Sequence, residues 1–351
     1  MAHLDKIFKA AISLNASDVH VVPGEPIVIR RLARMIKSKT EKLAPDSTRR
    51  IILEILTETQ KKKLVHDKQL DFAYEISGLG RFRGSAMMHN TGLSAVFRVI
   101  PPEIKTLEEL GLPDIVTKVL DNHQGLILVT GATGQGKSTT LAGMVDYINT
   151  NRAHHILTIE DPIEFIYPKK CGVVNQRQLA RDTLSYENAL RAALREDPDV
   201  IVIGELRSLD TISMAISAAE TGHLVIGTMS TFSAPKTIDR IIDAYPPDEQ
   251  NQIRAMLGES LRAVITQRLI PGADENEMVL ASEILIGTVP MSKLIRDGKT
   301  FQIPSMMQTG KSAGMQIMDE CILSLVQEGK INVQSAQKYA NNPKFFDKFV
   351  K

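Results

Sequence analysis

The eight residues Gly131–Ser138 are the strongest indication of chemistry in the chain, because they fit the pattern G-x-x-x-x-G-K-[ST]. Glycines let successive backbone N–H groups converge on phosphate oxygens, since no Cβ obstructs them. In this pattern Lys137 reaches the β- and γ-phosphates, and the hydroxyl of Ser138 ligates Mg²⁺. The pattern therefore predicts a nucleotide site, whose residues are Gly131, Thr133, Gly134, Gln135, Gly136, Lys137, Ser138 and Thr139.

The residues on either side of this loop have the context that a phosphate loop requires. The apolar run Leu126–Thr130 precedes the loop and reads as a buried strand. A helix follows, because Leu141, Met144, Val145 and Ile148 recur on one helical face. Its positive N-terminus would point at the anion. Strand, loop and helix together make nucleotide binding the firmest prediction from the sequence.

Acidic residues follow two of the predicted strands. Glu160-Asp161-Pro162-Ile163-Glu164 comes after Ile156–Ile159, and Glu205 comes shortly after Val200–Ile203. Hydrolysis of a nucleoside triphosphate needs one carboxylate to orient or deprotonate the attacking water and another to hold the Mg²⁺ shell. Each could equally be a helix cap or a solvated loop residue. The residues alone do not say which carboxylate would be the base.

Two arginines and one histidine are weaker candidates. Arg191 and Arg195 stand four residues apart, so both point the same way from a helix. They could sense phosphate, or pair with Glu187, Glu196 or Asp197. A lone histidine such as His223, before the apolar run Leu224–Thr228, is more often structural than catalytic.

The elements that would position these residues fall into two patterns. Residues 1–100 combine a helix with strand-like runs at Leu70–Ile76, Arg81–Met88 and Leu93–Ile100, which predicts an α+β unit with an antiparallel sheet. The first helix buries a stripe that begins at Leu4, and a second is predicted from Pro45 to about Glu58. From about Leu112, strands and helices alternate, which predicts an α/β fold. The predicted domains are 1–99, a Pro-rich linker 100–112, a nucleotide-binding core 113–270 and a mostly helical part 271–351. In this last part the clearest predicted helix is Met315–Val326, whose apolar stripe begins at Met315.

Composition narrows the class of protein. The chain has 351 residues, with 42 Lys plus Arg against 41 Asp plus Glu, so it lacks the basic surplus of a general nucleic-acid binder. Its 2 cysteines, Cys171 and Cys321, are too far apart for a CxxC metal knuckle and indicate reduced thiols. No apolar run approaches the roughly 18 residues of a transmembrane helix. These features favour a cytoplasmic protein of at least two domains.

Several blocks, in this order and spacing, resemble the secretion ATPase superfamily over almost the whole chain, and most of all its PilT-type pilus retraction ATPases. The blocks are the phosphate loop, Ser17-Asp18-Val19-His20, Gly80-Arg81-Phe82-Arg83, Ala95-Val96-Phe97-Arg98, Thr158–Phe165, Ala189–Val202, Ala219–Leu224 and Leu294-Ile295-Arg296-Asp297. The resemblance implies a PAS-like N-terminal domain before a RecA-like P-loop ATPase domain, with ATP and Mg²⁺ as cofactors. It also implies a homohexamer.

The resemblance also assigns roles to individual residues. Glu164 corresponds to the catalytic glutamate of the Asp box, Glu205 to the Walker B glutamate and His223 to the first histidine of the His box. Ser138 would ligate Mg²⁺, with a water-mediated contribution from Glu164 or Glu205. The arginines that would reach phosphate are Arg83, Arg98, Arg191 and Arg195.

The retraction branch fits better than its relatives, because extension and type II secretion ATPases carry a four-Cys zinc motif that 2 cysteines cannot build. The implied partners are an inner-membrane pilus platform protein and a second pilus motor ATPase, with no nucleic acid. The implied location is the cytoplasmic face of the bacterial inner membrane, with membrane association through the platform only.

Three places depart from the family's motifs. Leu206-Arg207-Ser208 replaces Met-Arg-Asp, Ser230 replaces the second histidine of the His box, and Met291-Ser292-Lys293 with Leu294 replaces Ala-Ile-Arg-Asn. A serine cannot carry the charge of an imidazole, so turnover and its coupling to motion are expected to differ while nucleotide binding persists. These departures suggest a divergent branch, such as a type IVb or bundle-forming pilus system.

Three alternatives to a retraction motor follow. The chain could be an accessory, weakly catalytic ATP-binding subunit of a pilus motor, or a related type IV or type II export ATPase. A DNA translocase would need a basic channel, and the one basic run, Lys61-Lys62-Lys63, reads as a solvated helix face.

Overall fold

A computed structural model describes residues 2–32, 34–274 and 277–349. The chain forms two compact units, one of Met1–Glu103 with Pro162–Ile166, the other of Ile104–Asp161 with Tyr167–Lys351. The division predicted from the sequence, into a linker and a separate part 271–351, is finer than this and stays a prediction.

The first unit is an antiparallel sheet with three helices. Its strands are ordered β3-β2-β1-β6-β5-β4. In chain order its elements are α1 (His3–Ser13), β1 (Asp18–Val21), β2 (Val28–Arg31), β3 (Arg34–Lys37), α2 (Pro45–Glu54), α3 (Glu58–Asp67), β4 (Gln69–Ile76), β5 (Gly80–His89) and β6 (Gly92–Ile100). This is the predicted α+β arrangement.

An aromatic cluster holds α1 against this sheet. The ring of Phe8 stacks on that of Phe82 with centroids 4.1 Å apart, and meets Phe97 edge-on at 4.9 Å. Such pairs contribute about 0.5–1.5 kcal/mol each beyond burial of their area. The stripe predicted for the first helix is confirmed, since Leu4 and Phe8 are fully buried.

The helix predicted from Pro45 to about Glu58 is wrong in extent. The structure has two helices there, because Thr57 starts a new one. The hydroxyl of Thr57 accepts the N–H of Gln60, whose side chain in turn accepts the N–H of Thr57. This reciprocal capping begins the second helix, α3, after α2 has ended at Glu54.

The second unit is an α/β layer structure around a seven-stranded sheet. The strands are ordered β13-β12-β7-β11-β10-β8-β9, all parallel except for the β12–β13 pair. The elements are α4 (Ile115–Leu120), β7 (Gly125–Thr130), α5 (Lys137–Asn151), β8 (His155–Glu160), β9 (Val173–Gln178), α6 (Tyr186–Ala193), β10 (Val200–Ile203), α7 (Leu209–Glu220), β11 (Leu224–Met229), α8 (Ala234–Asp243), α9 (Gln250–Ser260), β12 (Leu261–Pro271), β13 (Met278–Ile286), α10 (Val289–Arg296), α11 (Ile303–Thr309), α12 (Met318–Gln327) and α13 (Val333–Tyr339). Short 3₁₀ turns lie at Thr300–Gln302, Gly310–Ala313 and Pro343–Phe349.

Burial explains the parallel strands. Every residue of β7, β10 and β11 is buried, as expected where helices cover both faces of a sheet. The predicted stripe on α5 packs into this core. The Pro-rich segment is not an extended spacer along its whole length, because Leu107 and Leu112 are buried in the same core.

Two details of the carboxyl-terminal half differ from the prediction. The strand β12 was not predicted, and the helix expected over Met315–Val326 begins only at Met318. Met315 is nevertheless buried, so the apolar stripe was identified correctly. Within residues 2–32, 34–274 and 277–349, no helix has the length and apolarity needed to span a membrane.

Candidate nucleotide-binding site

The phosphate loop connects the end of β7 to the start of α5, and its backbone requires glycine. Gly131, Gly134 and Gly136 have φ values of +144°, +82° and +83°. A Cβ on Gly131 would lie 2.7 Å from the carbonyl oxygen of Gln267 on β12. A Cβ on Gly134 would meet no atom within 4 Å. The loop is therefore closed against β12 and open on the side where a phosphate would bind.

Two side chains of the loop have different tasks. The ammonium of Lys137 donates to the carbonyl oxygens of Gly131 and Ala132, at 2.8 and 3.1 Å, so the cation is held within the loop. The side-chain oxygen of Gln135 accepts the N–H of Leu269 at 2.6 Å. Gln135 thus fastens the loop to β12.

Two carboxylates stand at the carboxyl edge of the same sheet. Ile159 of β8 pairs with Ile203 of β10, so Glu160 and Glu205 lie at the ends of neighbouring strands. Glu160 accepts hydrogen bonds from Thr158 at 2.6 Å and from Gln176 at 3.1 Å. This edge is where open α/β sheets bind ligands.

Glu205 is held ionised by its neighbours. Its carboxylate accepts a hydrogen bond from Ser230 at 3.0 Å and pairs with Arg207 at 2.7 Å. Burial alone would raise the pKa of Glu205, but these two donors and the charges of Arg207 and Lys137 bring that pKa below its ordinary value. Glu205 can therefore accept a proton or a hydrogen bond at neutral pH.

The residues fit Mg²⁺ together with a nucleotide. The edge offers the hydroxyl of Ser138 and the carboxylates of Glu160, Asp161 and Glu205, which are oxygen ligands of the kind Mg²⁺ prefers. The described residues contain no group of three or more His, Cys, Asp or Glu side chains arranged to hold a metal alone. This suits Mg²⁺, which commonly binds through one or two protein ligands, water and substrate phosphates.

Sequence reasoning missed Tyr186, the first residue of α6. Its hydroxyl lies 3.3 Å from the position that a Cβ on Gly204 would take, and that position is 3.4 Å from the Cα of Glu160. Burial, with the charges of Asp161 and Glu205, raises the pKa of Tyr186 well above its usual range. The hydroxyl therefore stays protonated near the ends of β8 and β10.

The first unit holds the other predicted carboxylate. Glu164 lies in the segment Pro162–Ile166, and its carboxylate accepts a hydrogen bond from Arg83 of β5 at 3.1 Å. Arg98 of β6 donates to Asp18 of β1 at 3.2 Å. Both arginines lie on one face of the antiparallel sheet, because Arg83 pairs with Arg98 across β5 and β6. Their predicted contacts with phosphate stay predictions.

The structure places His223 away from the phosphate loop of the same chain, and its predicted catalytic role stays a prediction. His223 precedes β11, and its carbonyl oxygen accepts the N–H of Gly125 at the start of β7. It therefore lies at the amino-terminal edge of the sheet, opposite the edge where β7 meets the loop. Its ring nitrogen Nδ1 contacts the carbonyl oxygen of Ala218 at 3.1 Å.

Arg191 and Arg195 are exposed and have no ion pair among the described residues. Two of their three candidate partners are engaged elsewhere: Glu187 accepts from Ser208, and Glu196 pairs with Arg177. That these two arginines sense phosphate stays a prediction. These contacts do not support the alternative that they pair with carboxylates.

Two residues that depart from the family's motifs, Ser208 and Ser230, still form hydrogen bonds with their neighbours. Ser208 caps α7, since its hydroxyl accepts the N–H of Thr211 at 3.2 Å, as an aspartate would. Ser230 occupies the position beside Glu205 where the resemblance places a histidine.

Comparison with known proteins gives a family that matches this chain and relatives that are similar to it over most of their length. The profile of the family described as "Type II/IV secretion system protein" matches residues 1–342. The type IV pilus retraction ATPase PilT of Pseudomonas aeruginosa is 47% identical over 331 residues, covering 94% of this chain and 96% of that protein. A twitching motility protein of Neisseria gonorrhoeae is 45% identical over 315 residues, covering 90% of this chain and 84% of that protein.

A crystal structure of the pilus retraction motor PilT with bound ADP is similar in fold. It matches with a TM-score of 0.86 and 42% identity, covering 98% of both chains. This confirms the fold class predicted from the sequence, an antiparallel N-terminal domain followed by a RecA-like α/β domain with C-terminal helices.

Proposed function

Because this chain belongs to the type II/IV secretion system protein family and is a PilT-like ATPase, we propose that it hydrolyses ATP to drive type IV pilus retraction. The observation that carries the proposal is the near full-length likeness to PilT together with a complete phosphate loop at Gly131–Ser138. Pilus disassembly and twitching motility are the biological outputs.

The chain's own residues have defined roles in this reaction. The backbone N–H groups of the loop and the start of α5 bind phosphate, and Lys137 neutralises its charge. Glu205, kept ionised by Arg207 and Ser230, orients water or the metal shell. Glu164, positioned by Arg83, is the proposed base. When bound, Mg²⁺ with Ser138 neutralises charge on the transferred phosphoryl group.

The motor works as a ring in this proposal. A homohexamer would let Arg83 and Arg98 of the N-terminal unit act on nucleotide phosphates, and would push against an inner-membrane platform protein. A second pilus motor ATPase is a further candidate partner, and nucleic acid is not one. The near-balance of 42 basic and 41 acidic residues supports a protein partner over DNA.

The purified chain with and without Mg²⁺ tests hydrolysis directly. We expect ATP turnover that requires Mg²⁺, and Glu164→Gln should abolish it while ATP binding is retained. Glu25→Gln is the matched control, since Glu25 is a carboxylate of the same unit that pairs with Lys37 at 2.6 Å away from Arg83. Hexamers without any Mg²⁺-dependent turnover, even with the platform protein present, would refute the motor.

An accessory, weakly catalytic subunit is the second candidate. It is favoured by one observation, that Ser230 and not an imidazole contacts Glu205. An export ATPase for type II or type IV secretion is the remaining alternative, and neighbouring genes for pilins or for a secretion channel would distinguish it.

A further inference from the structure

Asp18 is a buried carboxylate that takes no part in the proposed steps of hydrolysis. It lies on β1 of the first unit and is 7% exposed. Across the sheet it pairs with Arg98 of β6 on one side and with Arg30 of β2 on the other. Side chains that are directly opposite on neighbouring strands lie on the same face of the sheet. Arg30, Asp18 and Arg98 therefore form one charged row across three strands.

The backbone beneath this row is fixed by the core of the unit. Val19 follows Asp18 on β1, and Phe97 precedes Arg98 on β6, so these two side chains point to the opposite face. Both are fully buried. Packing thus sets where Asp18 and Arg98 stand, and what remains to be fixed is the orientation of their side chains.

Both oxygens of the Asp18 carboxylate face a donor. The hydroxyl of Ser17 donates to Oδ2 at 2.9 Å, and Nε of Arg30 lies 3.9 Å from the same oxygen. The other oxygen, Oδ1, accepts the Nε–H of Arg98 at 3.2 Å. Ser17 and Arg30 therefore hold the carboxylate so that its second oxygen faces Arg98.

The hydrogen bond from Arg98 occupies the inner nitrogen of its guanidinium. In the part of the chain that the structure describes, Nη1 and Nη2 of Arg98 donate no hydrogen bond. The side chain of Arg98 is 44% exposed. A guanidinium binds a phosphate group through two parallel N–H donors. Arg98 is thus held at Nε and has both outer nitrogens available for an anion.

Arg83, which pairs with Arg98 across β5 and β6, is engaged in another way. Its outer nitrogen Nη1 donates to the carboxylate of Glu164 at 3.1 Å. One outer donor of Arg83 is therefore occupied by the proposed base. Of these two arginines, Arg98 is the one that the fold leaves ready to bind phosphate in the bidentate manner.

We propose that Asp18 is a positioning residue that holds Arg98 in the orientation in which it contacts a nucleotide phosphate. The proposal rests on the proposed function, because it takes Arg98 to act on phosphate. An unrestrained arginine loses side-chain freedom when it binds, whereas Arg98 has lost part of that freedom on folding. The row has two positive charges and one negative charge, so it still attracts an anion.

Turnover of the full chain with Mg²⁺ and ATP is the first test. Asp18→Ala removes the acceptor of the Arg98 Nε–H, so we expect the turnover number to fall about tenfold. Asp18→Asn keeps an oxygen acceptor and should stay within about threefold of the native protein. Because both residues serve one contact, adding Asp18→Ala to Arg98→Ala should change turnover by less than about twofold.

A second measurement follows Arg98 without relying on turnover. The full chain with Mg²⁺ is treated with an arginine-selective dicarbonyl reagent, with and without a non-hydrolysable ATP analogue. Modification of Arg98 is then quantified by mass spectrometry of its peptide. We expect the analogue to protect Arg98 in the native protein and in Asp18→Asn, and this protection to be lost in Asp18→Ala.

Asp5→Ala is the matched control. Asp5 is an aspartate of the same unit with similar burial, 8% exposed, and its carboxylate accepts the hydroxyl of Tyr74 and the N–H of Ala2. Its loss should lower thermal stability and leave both turnover and the protection of Arg98 unchanged. If Asp18→Ala does not fold, Ser17→Ala takes its place, since it frees Oδ2 and should lower turnover about threefold.

Three results would overturn the proposal. Turnover of Asp18→Ala that equals or exceeds that of the native protein is the first, and an increase would mean that Asp18 withholds Arg98 from phosphate. The second is an additive loss in the double variant. The third is protection of Arg98 that is absent from the native protein or is unchanged in Asp18→Ala.

The two measurements separate this proposal from the proposed function. A native protein in which the analogue protects Arg98 but ATP is not hydrolysed would refute the motor, and loss of that protection in Asp18→Ala would still support the positioning role. Hydrolysis without protection of Arg98 would refute the positioning role and leave the motor standing.

Discussion

Ser230 donates a hydrogen bond to Glu205 across 3.0 Å, which places a neutral hydroxyl beside the carboxylate that ends β10. The same carboxylate pairs with Arg207 at 2.7 Å on its other oxygen. Glu205 therefore has its charge balanced by an arginine of the same strand-end turn and its orientation set by a serine of the neighbouring one.

Restoring an imidazole at position 230 distinguishes a full motor from an accessory subunit. Because Arg207 already stabilises the charge of Glu205, we expect Ser230→His to change the turnover number by less than about threefold, against the roughly 100-fold that a gained general acid–base group can supply. Steady-state ATPase assays measure this. A gain approaching the larger figure would favour the weakly catalytic accessory subunit.

Removing Arg207 should change the pH dependence of turnover. Without that donor and charge, the pKa of Glu205 rises, so we expect Arg207→Ala to move the acidic limb of the turnover profile towards neutral pH. In the native protein, the stability from this lowered pKa is present above the unfolded-state value and is lost as pH falls through the folded-state value. Lys170→Ala, which removes a cation paired with Asp146 at 2.7 Å, should leave the limb in place.

Tyr186 should matter through its hydroxyl alone. Tyr186→Phe keeps the ring on α6 and removes the protonated hydroxyl near Asp161 and Glu205. We expect this hydroxyl to donate to a charged group of the site during turnover, so turnover should fall about tenfold. Tyr245→Phe is the control, since that hydroxyl bonds Ser213 at 2.8 Å in the interior. Equal turnover in Tyr186→Phe and Tyr245→Phe would show that the hydroxyl of Tyr186 has no role in hydrolysis.

Gly131 should tolerate no side chain. Its φ of +144° and the 2.7 Å between an added Cβ and the Gln267 carbonyl predict that Gly131→Ala weakens ATP binding at least about tenfold and destabilises folding by about 1–3 kcal/mol. Gly329→Ala adds a Cβ at φ +69° with no atom within 4 Å, so it should cost only about 1 kcal/mol and spare binding. Calorimetry and thermal unfolding measure both quantities.

The parts of the site that lie close in sequence were predictable, and those assembled by the fold were not. The phosphate loop is one contiguous stretch after a strand, so its residues alone predict it. The hydrogen bond that Leu269 donates to the side chain of Gln135 spans 134 positions, so no local sequence pattern predicts it. Tyr186 begins a helix and reaches the site only because α6 starts beside β8 and β10.

Strands could be predicted where their burial produces an apolar run in the sequence. The strands β7, β10 and β11 are buried throughout and read as apolar runs, whereas all four residues of β3 are exposed and show no alternation. The sequence shows that His223 precedes the strand β11, but it does not show that this end of β11 lies at the edge of the sheet opposite the phosphate loop.

Deletion of the gene in the bacterium that encodes it, with pili counted by electron microscopy, tests the retraction claim most directly. The account predicts cells with more or longer pili and no twitching, restored by the native gene and not by Glu164→Gln. Loss of surface pili on deletion would contradict retraction and indicate an export or assembly motor.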